Sequence, residues 1–161
     1  MTTITEDYVS FEIAKLLKAK GFDEKCSYVW MLDKANNPED TDGVYKVASP
    51  CFMEGESYVS NEDIDRVLEY YDEYYHKDAF LCPTLQMAMK WLREEHSIII
   101  IVEPHIFNPQ EGRATQFSFS VWVEDNYEDP YFDDSEHQFE SFSTYEKTCD
   151  VAIKYCLTNL V

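Results

Sequence analysis

The stretch Ile98-Ile99-Ile100-Ile101-Val102 decides how this chain is read. Its residues are all apolar and β-branched, and the run is too short for a helix, so it matches a strand buried on both faces of a sheet. A central strand is therefore expected at 98–102. Downstream, Phe117, Phe119, Val121 and Val123 alternate with Ser118, Ser120, Trp122 and Glu124, the two-residue period of a strand with one core-facing side. Upstream, Leu85, Ala88, Trp91 and Leu92 recur at helical spacing behind Pro83, with Cys82 or Thr84 as cap.

The remaining elements follow by the same rules. Val9, Ile13, Leu16 and Leu17 share a helical face, Thr5 or Ser10 offers an N-cap and Gly21 stands just past the end, predicting a helix over about residues 7–20. Ser27–Leu32 is aromatic and β-branched, and Val44–Ala48 is its hairpin partner across the polar loop Asp33–Gly43, with Pro50 ending the second strand. The segment Cys51–Tyr58 has no clear period, although Tyr58-Val59 suits a short strand. Ser60 and Asp63 form a capping box before Ile64, Val67, Leu68, Tyr71 and Tyr75, and Ser143 with Glu146 opens a last helix presenting Cys149, Ala152, Ile153 and Cys156 inward. A short edge strand is expected near Phe139 within the acid-rich stretch Glu124–Glu140. The order α-β-β-α-α-β-β-α reads as a single α+β domain over 1–161, with about four helices packed on one antiparallel or mixed sheet of four to five strands.

At 161 residues with 45% apolar and 16% aromatic side chains, the chain can bury a core of its own. Its 32 acids against 13 bases give a formal charge of −19. A negative field of that size disfavours direct contact with nucleic acid or an anionic membrane surface and leaves a basic protein partner, metal cations or mere solubility as its readings. No apolar run reaches the ~20 residues of a membrane span. The first residues, Met1-Thr2-Thr3-Ile4-Thr5-Glu6-Asp7, have neither the basic start nor the apolar stretch of a secretory signal, so a cytoplasmic location is expected.

Chemistry-bearing motifs are scarce. The cysteines Cys26, Cys51, Cys82, Cys149 and Cys156 show no zinc spacing, and the histidines His76, His96, His105 and His137 fit no metalloprotease pattern. With 4 glycines the sequence holds no phosphate-cradling loop, and no nucleophile elbow is present. Asp40-x-Asp42-Gly43 departs from a calcium loop at Pro38 and Ser49, where acids are needed. No catalytic residue, metal ligand or cofactor is assigned from these residues.

Two acid-rich segments remain as candidate interaction surfaces. Tyr70-Tyr71-Asp72-Glu73-Tyr74-Tyr75 interleaves phenols with carboxylates, suited to gripping Arg-rich protein by salt bridges and cation–π contacts, although Tyr71 and Tyr75 also fit a core stripe. Glu124–His137 reads first as a solvated loop, and its carboxylates also suit a divalent cation. The residues chosen for the surface are Tyr70, Asp72, Glu73, Tyr74, Glu128, Asp129, Asp133, Asp134 and Glu136.

The opening Ile4-Thr5-Glu6-Asp7-Tyr8-Val9-Ser10-Phe11-Glu12, the stretch Cys82–Glu94 and the end Ala152-Ile153-Lys154-Tyr155-Cys156-Leu157 resemble small uncharacterised acidic proteins of gut anaerobic bacteria and their phages and mobile elements. The resemblance spans roughly a third of the chain and implies a bacterial or phage-derived origin, with no activity to carry over. The leading expectation is a non-enzymatic interaction module with an acidic, Tyr-rich surface for a basic partner. A small carboxylate- or metal-dependent hydrolase, and a self-associating structural protein with an apolar patch near Trp30 or Trp122, are the competing classes.

Overall fold

The computed structural model describes residues 7–32, 44–48, 53–70, 78–107, 114–123, 132–133 and 142–161. They fall into two compact units, Tyr8–Thr84 and the residues from Leu85 onward together with Asp7. The fold is α+β, as expected. Instead of one sheet of four to five strands there are two antiparallel sheets of three strands each among the described residues.

In the first unit, α1 (Phe11–Ala19) buries Ile13, Ala14 and Leu17, which share one face. It begins at Phe11 rather than 7, because Tyr8 and Val9 are extended: Tyr8 bridges Thr84, and the Val9 N–H donates to the Pro83 carbonyl at 3.1 Å. Its end is a Schellman turn. The Phe22 N–H reaches the Leu17 carbonyl (2.9 Å), the Gly21 N–H reaches that of Lys18 (3.2 Å), and Gly21 takes φ +90°. Phe22 and Leu17 are both buried, supplying the apolar contact of that motif. A Cβ on Gly21 meets nothing within 4 Å, so replacing it adds only backbone strain. Gly21→Ala is expected to lower the urea-unfolding free energy by about 1 kcal/mol, with Gly21→Asn losing less.

Strand β1 (Tyr28–Leu32) pairs on one side with β2 (Val44–Ala48), in the hairpin expected, and on the other with β3 (Ala79–Leu81). The register Val29↔Leu81 and Met31↔Ala79 puts four buried side chains on one face. Trp30 opposes Phe80, Phe11 meets both rings edge-on, and the Trp30 indole N–H donates to the Val9 carbonyl at 3.0 Å. Helix α2 (Asn61–Tyr70) stands between β2 and β3 in sequence, and Val59, where a short strand was expected, makes a single bridge to Cys26.

The second unit opens with α3 (Leu85–His96), which buries Leu85, Ala88, Trp91 and Leu92 as their spacing predicts. Ser97 alone joins it to β4 (Ile98–Phe107) and takes φ +54°, a left-handed conformation that lets the chain reverse in one residue. Strand β4 pairs with β5 (Ala114–Val123), which pairs with β6 (Phe132–Asp133). The last helix, α4 (Tyr145–Asn159), lies against β4 and β5, and buries Cys149, Ala152, Ile153, Cys156 and Leu157. Its cap is Thr144, whose hydroxyl accepts the Lys147 N–H at 3.2 Å, one residue beyond the Ser143–Glu146 box read from the sequence. The edge strand expected near Phe139 falls outside the described residues.

The stretch 98–102 is a strand, but not a central one. In the order β4-β5-β6 the middle strand is β5, and β4 has no second neighbour among the described residues. Ile98 and Ile100 are buried on the face shared with Phe119 and Val121, whereas Ile99 and Ile101 are 39% and 40% exposed on the other. Apolar residues on both faces imply burial on both, whereas among the described residues only the face of Ile98 and Ile100 is buried.

Candidate interaction surface

Helix α2 has one inward anchor, Ile64, which is fully buried. Glu62, Asp65 and Glu69 recur at three- and four-residue steps and are all exposed, and with the exposed Arg66 set among them the outward face of the helix is net acidic. Asp65 is met by Lys18 at 3.2 Å, an exposed pair of small energetic weight. Tyr70, the last residue of α2, is 82% exposed, and Tyr58 is 58% exposed on the segment leading to the helix. From sequence, this surface is expected to start at Tyr70. Helical spacing measured from Ile64 would have found Glu62, Asp65 and Glu69 as well.

The helix is held at its start by the capping box expected. The Ser60 N–H and hydroxyl donate to Asp63 Oδ2 at 3.0 and 2.9 Å, and the Asp63 N–H returns to Ser60 Oγ at 3.3 Å. Arg66 adds a 2.6 Å contact to Asp63 Oδ1. The hydrogen bonds from Ser60, with a smaller contribution from Arg66, hold the Asp63 carboxyl below its ordinary 3.8. A lowered folded-state value means that its stabilisation is present above pH 3.8 and is lost as pH falls through the folded value. Asp63→Ala is expected to cost about 1 kcal/mol near neutral pH and progressively less in acid, read from urea midpoints across that range.

Of the surface residues chosen from the sequence, Tyr70 belongs to the first unit and Asp133 to the second, where it stands opposite Ser120 in the β5–β6 ladder. Asp72, Glu73, Tyr74, Glu128, Asp129, Asp134 and Glu136 lie outside the described residues. Among the described residues no three His, Cys, Asp or Glu side chains are grouped to hold a metal ion. No helix among them is long and apolar enough to cross a membrane.

The thiols of the described cysteines are buried. Burial pushes Cys26 up to about 12, helped by Cys82 and Glu24, and does the same to Cys156. Burial also raises Cys149. These groups therefore stay protonated at neutral pH, the form that is a poor nucleophile and a poor metal ligand.

One arrangement of nucleophile and base is present. His105 on β4 and Ser118 on β5 are diagonal neighbours across the ladder, and His105 Nε2 shares a hydrogen bond with Ser118 Oγ. Ser118 is buried. Phe117 exchanges both of its backbone hydrogen bonds with Phe142, so alternation turns the N–H and C=O of Ser118 the opposite way, to Glu103 of β4. That N–H is spent in the ladder and cannot receive a developing oxyanion, which acyl transfer at this serine would need. The pair is accordingly a cross-strand tie of the kind worth about 1 kcal/mol.

Comparison with known protein families, with curated proteins and with solved structures finds no match to this chain.

Proposed function

We propose that this protein is a non-catalytic interaction module that binds a basic protein through an acidic, tyrosine-bearing surface. The observation carrying the reading is the outward face of α2, where Glu62, Asp65 and Glu69 lead to the exposed ring of Tyr70, in a chain of formal charge −19. Carboxylates on this face attract a basic partner over a distance set by the Debye length, and the phenol supplies a rigid, amphipathic contact for Arg or Lys. Placement of the next residues, Asp72, Glu73 and Tyr74, in the same interface belongs to this proposal.

The test is capture of proteins from a host lysate on the immobilised chain at low and moderate salt, alongside a variant carrying Glu62→Lys, Asp65→Lys and Glu69→Lys. Basic proteins retained by the native chain, released by salt and lost with the variant are expected. Retention unchanged by both salt and charge reversal would refute the assignment of this face.

The hydrolase reading needs acids in a cleft with raised pKa values. The Asp63 carboxyl, at the start of α2, is instead held below its ordinary value. That observation favours the interaction module.

A further inference from the structure

We infer that β4 is the pairing edge of a symmetric homodimer, in which two copies of this chain join their β4 strands antiparallel about Ile100. The direction of the backbone groups on β4 follows from its register with β5. Glu103 exchanges its bonds with Ser118, so Ile99, Ile101 and Glu103 turn their N–H and C=O groups to β5, while Ile98, Ile100 and Val102 turn theirs to the opposite edge. Pro104 is the next residue on that outward side and has no N–H to give. At the other end Ser97, with φ +54°, leaves the extended conformation. The pairable edge is thus bounded to 98–102.

This edge is complementary to itself. An antiparallel copy centred on Ile100 makes Ile98 face Val102 of the second copy and Ile100 face Ile100, and in both pairings the outward N–H and C=O groups meet. The same register sets Ile99 against Ile101 of the second copy at a position where side chains approach most closely. Within 98–102 those two isoleucines are the exposed ones, and Trp122 stands opposite Ile99 in the ladder. Joining the copies would continue each three-stranded sheet into the other and cover the stripe that one copy leaves in water.

Charge selects the second copy over a basic peptide as occupant. Residues 97–102 carry no charge in a chain that is 28% charged, and the first carboxylate met along the strand is Glu103. A Lys- or Arg-rich strand would find little to neutralise it at this edge, whereas a second Ile98–Val102 matches it group for group. Two bodies of charge −19 repel, so screening by salt must tighten the dimer. A basic partner shows the opposite dependence.

Sedimentation velocity on the full chain over a range of concentrations, at low and moderate salt, tests the inference. A one-chain mass giving way to twice that mass, at lower concentration when salt is raised, is expected. Ile101→Lys and Val102→Pro should each raise the midpoint concentration by about tenfold or more, the first by placing charge in the stripe and the second by removing an outward N–H. Both residues lie outside the fully buried core, and circular dichroism checks that the variants fold. Register is tested without either variant: under oxidation, a mixture of Ile99→Cys and Ile101→Cys chains should give a 99–101 cross-link, located by peptide mapping. A one-chain mass at every concentration, a dimer indifferent to both variants, or absence of that cross-link would overturn the assignment.

Discussion

Between pH 9 and about pH 12 the folded protein is expected to lose several kcal/mol of stability through Cys26 and Cys156 alone. Each thiol ionises near 9.0 when unfolded and near 12 when folded, because burial penalises the thiolate. With the folded value raised, the folded state holds more protons across this window, so the contribution is complete below pH 9 and is lost as pH rises. Three pH units correspond to roughly 4 kcal/mol for each group at the top of the range. Urea midpoints measured across the window should fall steeply in the native protein and less steeply in Cys26→Ala and Cys156→Ala. Equal slopes in all of them would show that these thiols are not protected. Alkylation near pH 9, mapped by mass spectrometry, gives an independent reading: both thiols should label slowly when folded and rapidly in denaturant.

A comparable loss is expected from Ile98→Ala, and much less from Ile101→Ala, although the residues are three apart on one strand. Ile98 is 2% exposed on the face against the helices, so truncation leaves a cavity that the packed core cannot fill, costing about 2–5 kcal/mol. Ile101, at 40% exposure, gives up little burial within one copy, and its truncation should cost about 1 kcal/mol or less. Urea unfolding of dilute protein, where association contributes least, separates the two. A large loss for Ile101→Ala under those conditions would mean that the outer face is covered within the chain itself. A small loss for Ile98→Ala would contradict the inner packing.

The helical faces are legible in the sequence because each carries its own period. Ile13 with Leu17, Leu85 with Ala88, Trp91 and Leu92, and Cys149 with Ala152, Ile153 and Cys156 are buried as spacing requires. The hairpin of Tyr28–Leu32 with Val44–Ala48 is legible too, since each segment is short, β-rich and set off by polar residues. Strand β3 is not, because Ala79-Phe80-Leu81 is too brief to show alternation and Pro83 directs attention to the helix that follows. Partition into two sheets is equally hidden: pairing depends on contacts distant in sequence, such as Val29 with Leu81, which no local pattern encodes. The edge placement of 98–102 is hidden for a different reason. Apolar content reports how much surface needs covering, not whether the cover comes from the same chain.

For the acidic surface, composition reveals its sign and helix spacing its direction, and Tyr70 is common to both readings. Asp63 shows why a count of carboxylates overstates such a surface. It is acidic and flanked by acids, yet its oxygens are committed to Ser60 and Arg66.

The bridge between Tyr8 and Thr84 bears on how the protein emerges from the ribosome. The residues that close the first unit are nearly the first and the last of its span, so α1 and the β1–β2 hairpin cannot be locked until Ala79–Thr84 has cleared the exit tunnel. Through most of that interval the open side of β1, where β3 will bond, is exposed to neighbouring chains. Slowing translation once Thr84 has left the tunnel would give the unit time to shut, whereas a pause with the β1–β2 hairpin outside and Ala79–Thr84 still inside would prolong its most aggregation-prone state.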